Sequence, residues 1–207
     1  MKEKRPGHSK AAFFDLTARG YRMPAEWEPH QGTWLSYPHN PRTFLTALSG
    51  AQESFAEMIR HLAKAEEVHV NVDDEAMESD LRRKLTARKV RRNVFFHRWP
   101  TNDAWCRDHG AIILKQHRTG ERAAADWIFN AWGGKYPSAK DDRIARRMAA
   151  SLGLECFSFP VVLEGGSVEV NGRGVLLTTE SCLLNPNRNP QMTKADIERT
   201  LKAGLGA

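Results

Sequence analysis

The chain has 207 residues, of which 41% are hydrophobic and 27% charged, with a formal net charge of +6. That composition fits one sizeable packed domain and excludes a disordered or low-complexity polymer. Charged residues break every apolar stretch before it reaches membrane-spanning length, and the basic opening over residues 1–10 leads into no apolar signal core, so a cytoplasmic protein without membrane contact is expected.

In chain order, residues 33–37 read as a short strand closed by Pro38. Phe55, Met58, Ile59 and Leu62 fall at the i, i+3, i+4, i+7 spacing of a helix with one buried stripe. Val68, Val70 and Val72 alternate with polar residues, which is strand periodicity. Asp73 and Asp74 precede a helical stretch over 75–87, where capping is a simpler use of aspartate than metal binding. Seven of the eleven residues from 82 to 92 are basic. Leu81 and Leu85 give that segment a buried side, and no aromatic residue interleaves with the charges. It therefore reads as a solvated helix face and not as a nucleic-acid contact.

A strand is expected over 94–97, then a hairpin pairing 111–114 with 124–129 around Thr119-Gly120. A helix over 141–152 follows, with Ile144, Met148 and Leu152 on one side. Strands over 168–170 and 175–178 are joined through Asn171-Gly172, a hairpin-turn dipeptide. A last helix starts near Thr193 and carries Ile197, Leu201 and Leu205 on its apolar face. Strand pairs alternate with helices, as in a repeated strand-strand-helix-strand unit. No strand is read behind the last helix, which sets the expectation of an architecture cut short.

Three patches are dense in unusual residues: Met23-Pro-Ala-Glu-Trp-Glu-Pro-His-Gln-Gly-Thr-Trp34, Thr101-Asn-Asp-Ala-Trp-Cys-Arg-Asp-His-Gly110, and Leu163-Glu-Gly-Gly-Ser167 with the Asn185–Pro190 stretch behind it. In the second, an aspartate beside an aromatic suits a planar cation, because Asp108 can take a guanidinium bidentately while Trp105 stacks on it. The simpler alternative is that Asp108 pairs with Arg107 or caps the turn. Glu164 with its two glycines offers a second acid where backbone can approach a ligand closely, or else an ordinary glutamate at a bulge. Cys106 and His109, three residues apart, are a candidate nucleophile and base, set against a partly buried thiol and a loop histidine. Cys156 and Cys182 sit in apolar strand contexts and read as core. The cysteines are too few for a disulfide framework, and the histidines lack zinc-binding spacing. The segment 185–190, with two prolines and three asparagines, reads as a rigid turn feeding the last helix.

At these patches, together with Phe129-Asn-Ala-Trp-Gly-Gly-Lys-Tyr136 and Thr178-Thr-Glu-Ser-Cys-Leu-Leu-Asn-Pro-Asn-Arg-Asn-Pro190, the chain resembles the agmatine deiminase and bacterial (Porphyromonas-type) peptidyl-arginine deiminase family. The resemblance implies an α/β fold of the pentein type, a propeller-like ring of ββαβ units. This chain would supply the N-terminal half to three-fifths of that ring, with a basic, flexible lead over 1–20 and a partial domain over 21–207. It implies hydrolysis of a guanidinium with release of ammonia, agmatine going to N-carbamoylputrescine in polyamine synthesis, without metal or organic cofactor. By resemblance Asp108 grips the guanidinium, Trp105 lines the substrate channel, and Glu164 belongs to the pocket or its surroundings. The family's catalytic histidine and cysteine fall beyond residue 207, so no catalytic residue is assigned and the chain alone is expected to be inactive. A homo-oligomer, or a second chain completing the ring, would be the partner besides the small guanidine substrate. Two other readings stand beside this one: a peptidyl- or free-arginine deiminase, and a guanidine-binding or regulatory module without catalysis.

Overall fold

A computed structural model of the chain describes residues 14–207. The basic opening at 1–13 lies outside the described residues, and so does that part of the expected flexible lead. The remainder of the lead is packed, with Leu16 fully buried and its amide donating to Ala203 O at 2.8 Å.

The strands are β1 (Tyr21–Arg22), β2 (Gly32–Ser36), β3 (Glu67–Val72), β4 (Val94–Arg98), β5 (Ile112–Gln116), β6 (Arg122–Ile128), β7 (Glu155–Val162), β8 (Glu169–Val170) and β9 (Leu176–Leu177). The α-helices are α1 (Pro41–Phe44), α2 (Leu48–Leu62), α3 (Glu75–Ala87), α4 (Cys106–His109), α5 (Ala131–Gly134), α6 (Ile144–Ser151), α7 (Glu180–Leu183) and α8 (Lys194–Leu205). They build three sheets, ordered β2-β3-β4, β1-β5-β6-β7 and β8-β9.

The first sheet is parallel throughout, with α2 and α3 as crossovers. Val68, Val70 and Val72 alternate toward those helices, where they meet Ala56, Ile59, Leu81 and Leu85. Each fully buried aliphatic side chain of this kind contributes about 1.5–3 kcal/mol. The opposite face carries rings: Trp34 stacks on His69 at 4.4 Å and on His97 at 4.7 Å. Burial and the neighbouring His69 push His97 down to about 4. Asp74 caps α3 by accepting from Met77 N at 2.9 Å, as expected, whereas Asp73 accepts from the Thr101 amide at 3.0 Å.

The basic run along α3 is largely neutralised by nearby acids. Arg82 bonds Glu78 at 2.8 Å, Lys84 bonds Asp80 at 2.8 Å, and Arg88 reaches Glu53 at 2.5 Å. Arg82 also lies 4.1 Å over the Phe96 ring.

In the second sheet, β1, β5 and β6 are antiparallel neighbours and β7 joins β6 in parallel. Strand β6 is buried on both faces. Ala123, Ala125 and Trp127 belong to the core that takes in Ile197, Leu201 and Leu205 of α8, while α6 packs on β6 and β7 from the other side. Gly204 is required there, because a Cβ on it would stand 2.9 Å from the Trp127 ring. A capping box between Thr193 and Asp196 starts α8.

Three expectations are corrected. The first unit is a parallel β-α-β-α-β run, so a strand-strand-helix-strand repeat does not describe it; only β5-β6-α6-β7 has that order. The eight-residue strand β7 is an element that the sequence reading did not include. Cys182 lies in the short helix α7, not in a strand, although Cys156 is in β7 as its apolar context indicated.

Candidate functional site

The loop that carries Trp105 and Asp108 is fixed before it reaches α4. Asn102 N donates to Asp141 Oδ1 at 2.5 Å, the Lys140 amide donates back to Asn102 Oδ1 at 2.9 Å, and Asn40 Nδ2 donates to Asp103 Oδ2 at 3.2 Å. Asp141 is buried, and that burial lifts its carboxyl to about 7 against the pull of the Asn102 and Asp103 amides.

Within α4, the candidate nucleophile and base are both unsuited to the task. Burial pushes the Cys106 thiol up to about 12, so at neutral pH it is a thiol and not a thiolate. Burial also holds His109 down to about 4 against the opposing pull of backbone groups at Asp103 and at His109 itself, and neither ring nitrogen forms a well-aligned hydrogen bond among the described residues. Its ring instead meets Phe129 edge-on at 5.8 Å. These two residues are core.

Asp108 is oriented by two donors from distant segments. Oδ1 accepts from Gly166 N at 3.0 Å, and Oδ2 accepts from Trp132 Nε1 at 3.3 Å. Arg107 turns away to Glu26 and to Glu169, the latter at 3.1 Å, so the simple pairing of Asp108 with Arg107 is absent. Each carboxylate oxygen has a further lone pair, which leaves capacity for a cationic donor. Trp105 is 45% exposed and meets Trp132 edge to face at 6.2 Å.

Trp132 owes its place to an unusual backbone. Ala131, Trp132, Gly133 and Gly134 have φ of 51°, 56°, 89° and 76°. Left-handed conformation costs a residue with a side chain about 1–2 kcal/mol, so the two non-glycine positions hold strain that their surroundings must offset. Asn130 supplies part of the support: its Oδ1 accepts from Gly133 N at 2.8 Å, and its Nδ2 donates to Asn187 O at 2.9 Å.

Glu164 is buried, and its Oε1 accepts from Arg188 Nε at 2.9 Å. Its Oε2 is buried without a hydrogen-bond partner among the described residues. Arg188 Nη1 also donates to Asn187 Oδ1 at 2.7 Å. Asn189 donates from Nδ2 to Val162 O and Leu183 O, both at 3.0 Å, and so ties the turn to β7 and α7. The asparagine-proline turn thus positions Arg188 as well as feeding α8.

The two glycines after Glu164 are dictated by contact with α4. A Cβ on Gly165 would lie 2.2 Å from Arg107 O, and one on Gly166 would lie 2.3 Å from Asp108 Oδ1. The structure therefore brings Asp108, Trp105, Trp132 and the 164–166 segment together. An open cleft of about 1040 Å³ borders this cluster along Trp105, Arg107 and Gly165, and extends to Trp34 and His69; Asp108 and Glu164 are not among its walls. Trp132, Gly166 and Arg188 carry parts of the site that the sequence reading did not assign to it. The Gly-Gly pairs after Trp132 and Glu164 were the available signal.

Among the described residues, no group of three or more His, Cys, Asp or Glu is placed to hold a metal ion. No helix among them is long and apolar enough to cross a membrane.

The fold is the α/β fold of solved agmatine deiminases. The Enterococcus faecalis enzyme superimposes with a TM-score of 0.86 at 32% identity over 96% of this chain and 55% of that one. The C. jejuni agmatine deiminase, solved with substrate bound, gives 0.77 at 31% identity over 90% and 54%. In sequence, the agmatine deiminase of Pseudomonas aeruginosa (strain LESB58) is 39% identical over 191 residues, 89% of this chain and 50% of that protein. The profile of the Porphyromonas-type peptidyl-arginine deiminases matches residues 22–207. The chain belongs to that family, and it spans about half the length of the relatives it matches.

Proposed function

We propose that this chain forms the guanidinium-gripping part of an agmatine deiminase-type hydrolase, with residues 21–207 as a partial propeller-like domain. The observation that carries the reading is the orientation of Asp108, whose carboxylate is held by Gly166 N and Trp132 Nε1 beside the half-exposed ring of Trp105. An oriented carboxylate next to an aromatic face suits a planar cation, through charge-assisted hydrogen bonds on one side and ring contact on the other. Glu164 lies on the segment that holds Asp108, with its Oε2 buried and without a hydrogen-bond partner among the described residues. The names of the relatives support agmatine as the guanidine, whose deimination would give N-carbamoylputrescine and ammonia.

Hydrolysis itself calls for a nucleophile. The burial of Cys106 and its raised thiol argue against its acting as one, so the 207 residues alone are expected to bind and not to turn over. Titration calorimetry of the 207-residue chain with agmatine tests the reading, with putrescine as the diamine that lacks the guanidine. Agmatine should bind, putrescine should bind at least tenfold more weakly, and Asp108→Asn should lower agmatine affinity about ten- to a hundredfold. Equal affinity for the two amines, or an Asp108→Asn variant that binds normally, would sink it.

The family's own description favours a second reading, a peptidyl-arginine substrate. A peptide ending in arginine, run in the same titration, separates the two: tighter binding of the peptide than of agmatine selects this alternative.

A further inference from the structure

The hydrogen bond from Trp132 Nε1 to Asp108 Oδ2 joins two arms of the chain, and both arms are tethered to one short turn. The first arm runs from Asn102, whose amide donates to Asp141 Oδ1 at 2.5 Å, through Trp105 to Asp108 on α4. The second runs from Phe129, whose amide donates to Asp142 Oδ1 at 2.8 Å, through left-handed Ala131 to Trp132. Asp141 and Asp142 open the 3-10 turn Asp141–Arg143, which leads directly into α6.

Both tethers are reinforced. Asn102 Oδ1 accepts from the amides of Lys140 and Asp141, at 2.9 and 3.4 Å, so the turn and the first arm hold each other reciprocally. The Phe129 ring bridges the arms, meeting His109 of α4 at 5.8 Å and Trp132 at 5.5 Å, edge to face in both cases. At 3.3 Å, the bond that joins the arms is at the long limit for N–H···O. A small change in the spacing of the arms therefore decides its strength.

We propose that Asp141 and Asp142 are positioning residues for Asp108: their turn sets the spacing of the two arms that meet in the Trp132–Asp108 hydrogen bond. Control of guanidinium affinity through that spacing rests on the function proposed above; the spacing itself does not.

The Asp141 tether is sensitive to pH. Burial lifts its carboxyl to about 7, so it gains its charge in the neutral range. Asp103, His39 and the Cys106 thiol face it. Asp73 stands beyond them, 3.8 Å from His39 and 3.7 Å from Lys140. An ionised carboxylate holds an amide by a charge-assisted bond, roughly twice as strong as a neutral one. The first arm tightens accordingly as pH rises through about 7, and the Trp132 indole reports the change.

The test is a pH titration of the 207-residue chain with isotope-labelled tryptophan, following the Trp132 indole resonance from about pH 5.5 to 8.5. Trp132→Phe identifies that resonance by its loss. In the parent chain it should shift with a midpoint of about 7. Asp141→Asn should hold it constant over the same range, and His39→Gln should leave the titration in place. Asp142→Ala should displace the resonance at every pH. Asp142→Asn should restore it, because its side-chain oxygen still accepts from Phe129. A residue that only stabilised the fold would move the urea midpoint and not this titration. Calorimetry should show agmatine affinity rising about three- to tenfold from pH 6 to 8 in the parent chain and not in Asp141→Asn.

A Trp132 resonance that stays fixed in the parent chain overturns the proposal, and that measurement needs no variant to fold. A titration that survives Asp141→Asn overturns it too, as does a resonance in Asp142→Ala identical to the parent's. Agmatine that binds at no pH, beside an indole that titrates as stated, supports the spacing and sinks the guanidinium reading.

Discussion

The guanidinium of Arg188 lies along the carboxylate of Glu164, Nε to Oε1 at 2.9 Å, with the two side chains 9% and 4% exposed. A pair this buried gains little over an apolar pair of the same shape, but removal of one member strands the other charge in a dry interior.

Arg188→Met should therefore destabilise the chain by about 3–5 kcal/mol, whereas the double variant Glu164→Leu/Arg188→Met should lose much less. Urea unfolding of the two variants decides this. A double variant as unstable as the single one would show that the pair contributes by geometry and not by mutual compensation.

The two glycines behind Glu164 separate fold from site. Gly165→Ala drives a methyl against the Arg107 carbonyl, a backbone atom that cannot step aside, and should cost about 1–3 kcal/mol. Gly166→Ala drives its methyl against Asp108 Oδ1, the end of a side chain. It should move the carboxylate, lowering agmatine affinity about tenfold with the smaller loss of stability. Calorimetry and urea midpoints on both variants would expose the idea as wrong if the two losses came in equal proportion.

Asp141 and His109 pull the pH dependence in opposite directions. Folded Asp141 keeps its proton up to about pH 7, while an unfolded aspartate loses it near 4, so its contribution to stability falls as pH rises across that window. Folded His109 stays neutral down to about 4, while an unfolded histidine protonates near 6.5, so its contribution falls as pH drops from 6.5 to 4. One proton is worth about 1.4 kcal/mol per pH unit, so the two largely cancel between pH 4 and 6.5. Relative to the parent chain, Asp141→Asn should lose stability on acidification through that range, and His109→Gln should gain it. Urea midpoints at pH 4.5, 5.5 and 6.5 give the slopes, and identical slopes in all three proteins would refute the assignment.

Cys106, buried and with its thiol raised to about 12, should resist iodoacetamide at pH 8 until the chain unfolds. Peptide mapping after alkylation checks this. Rapid modification of Cys106 in the folded chain would reopen its candidacy as a nucleophile.

Much of the fold was legible because periodicity reports burial. The helix Glu75–Ala87 and its Asp74 cap follow directly from an apolar stripe behind a capping residue. Periodicity does not report strand direction, however. Val68, Val70 and Val72 would alternate in the same way in an antiparallel sheet, which is why the parallel first sheet departs from the expected repeat. Strand β7 was hidden by Pro160, which ordinarily argues against a strand interior. The register there jumps from Trp127↔Phe159 to Ile128↔Val162, so the proline sits in an irregularity where no ladder amide is needed. At the site, Asp108 and Trp105 could be singled out by residue type. Their supports were marked only by the Gly-Gly pairs and could not be linked to Asp108, because Trp132 and Gly166 come from 24 and 58 residues further along the chain.

The hydrogen bond from Leu16 N to Ala203 O has a consequence in time. The first parallel sheet, β2 to β4, is made of neighbours in sequence, and all its partners exist once residue 98 has been synthesised. Leu16, made long before, finds its backbone partner only when α8 emerges, and Met23 N waits likewise for Leu205 O. The second core thus closes later than the first, its loop-closure entropy met only once residue 205 has been synthesised. Until then β1 is held by β5 alone, and the amides of Leu16 and Met23 on either side of it have no backbone partner.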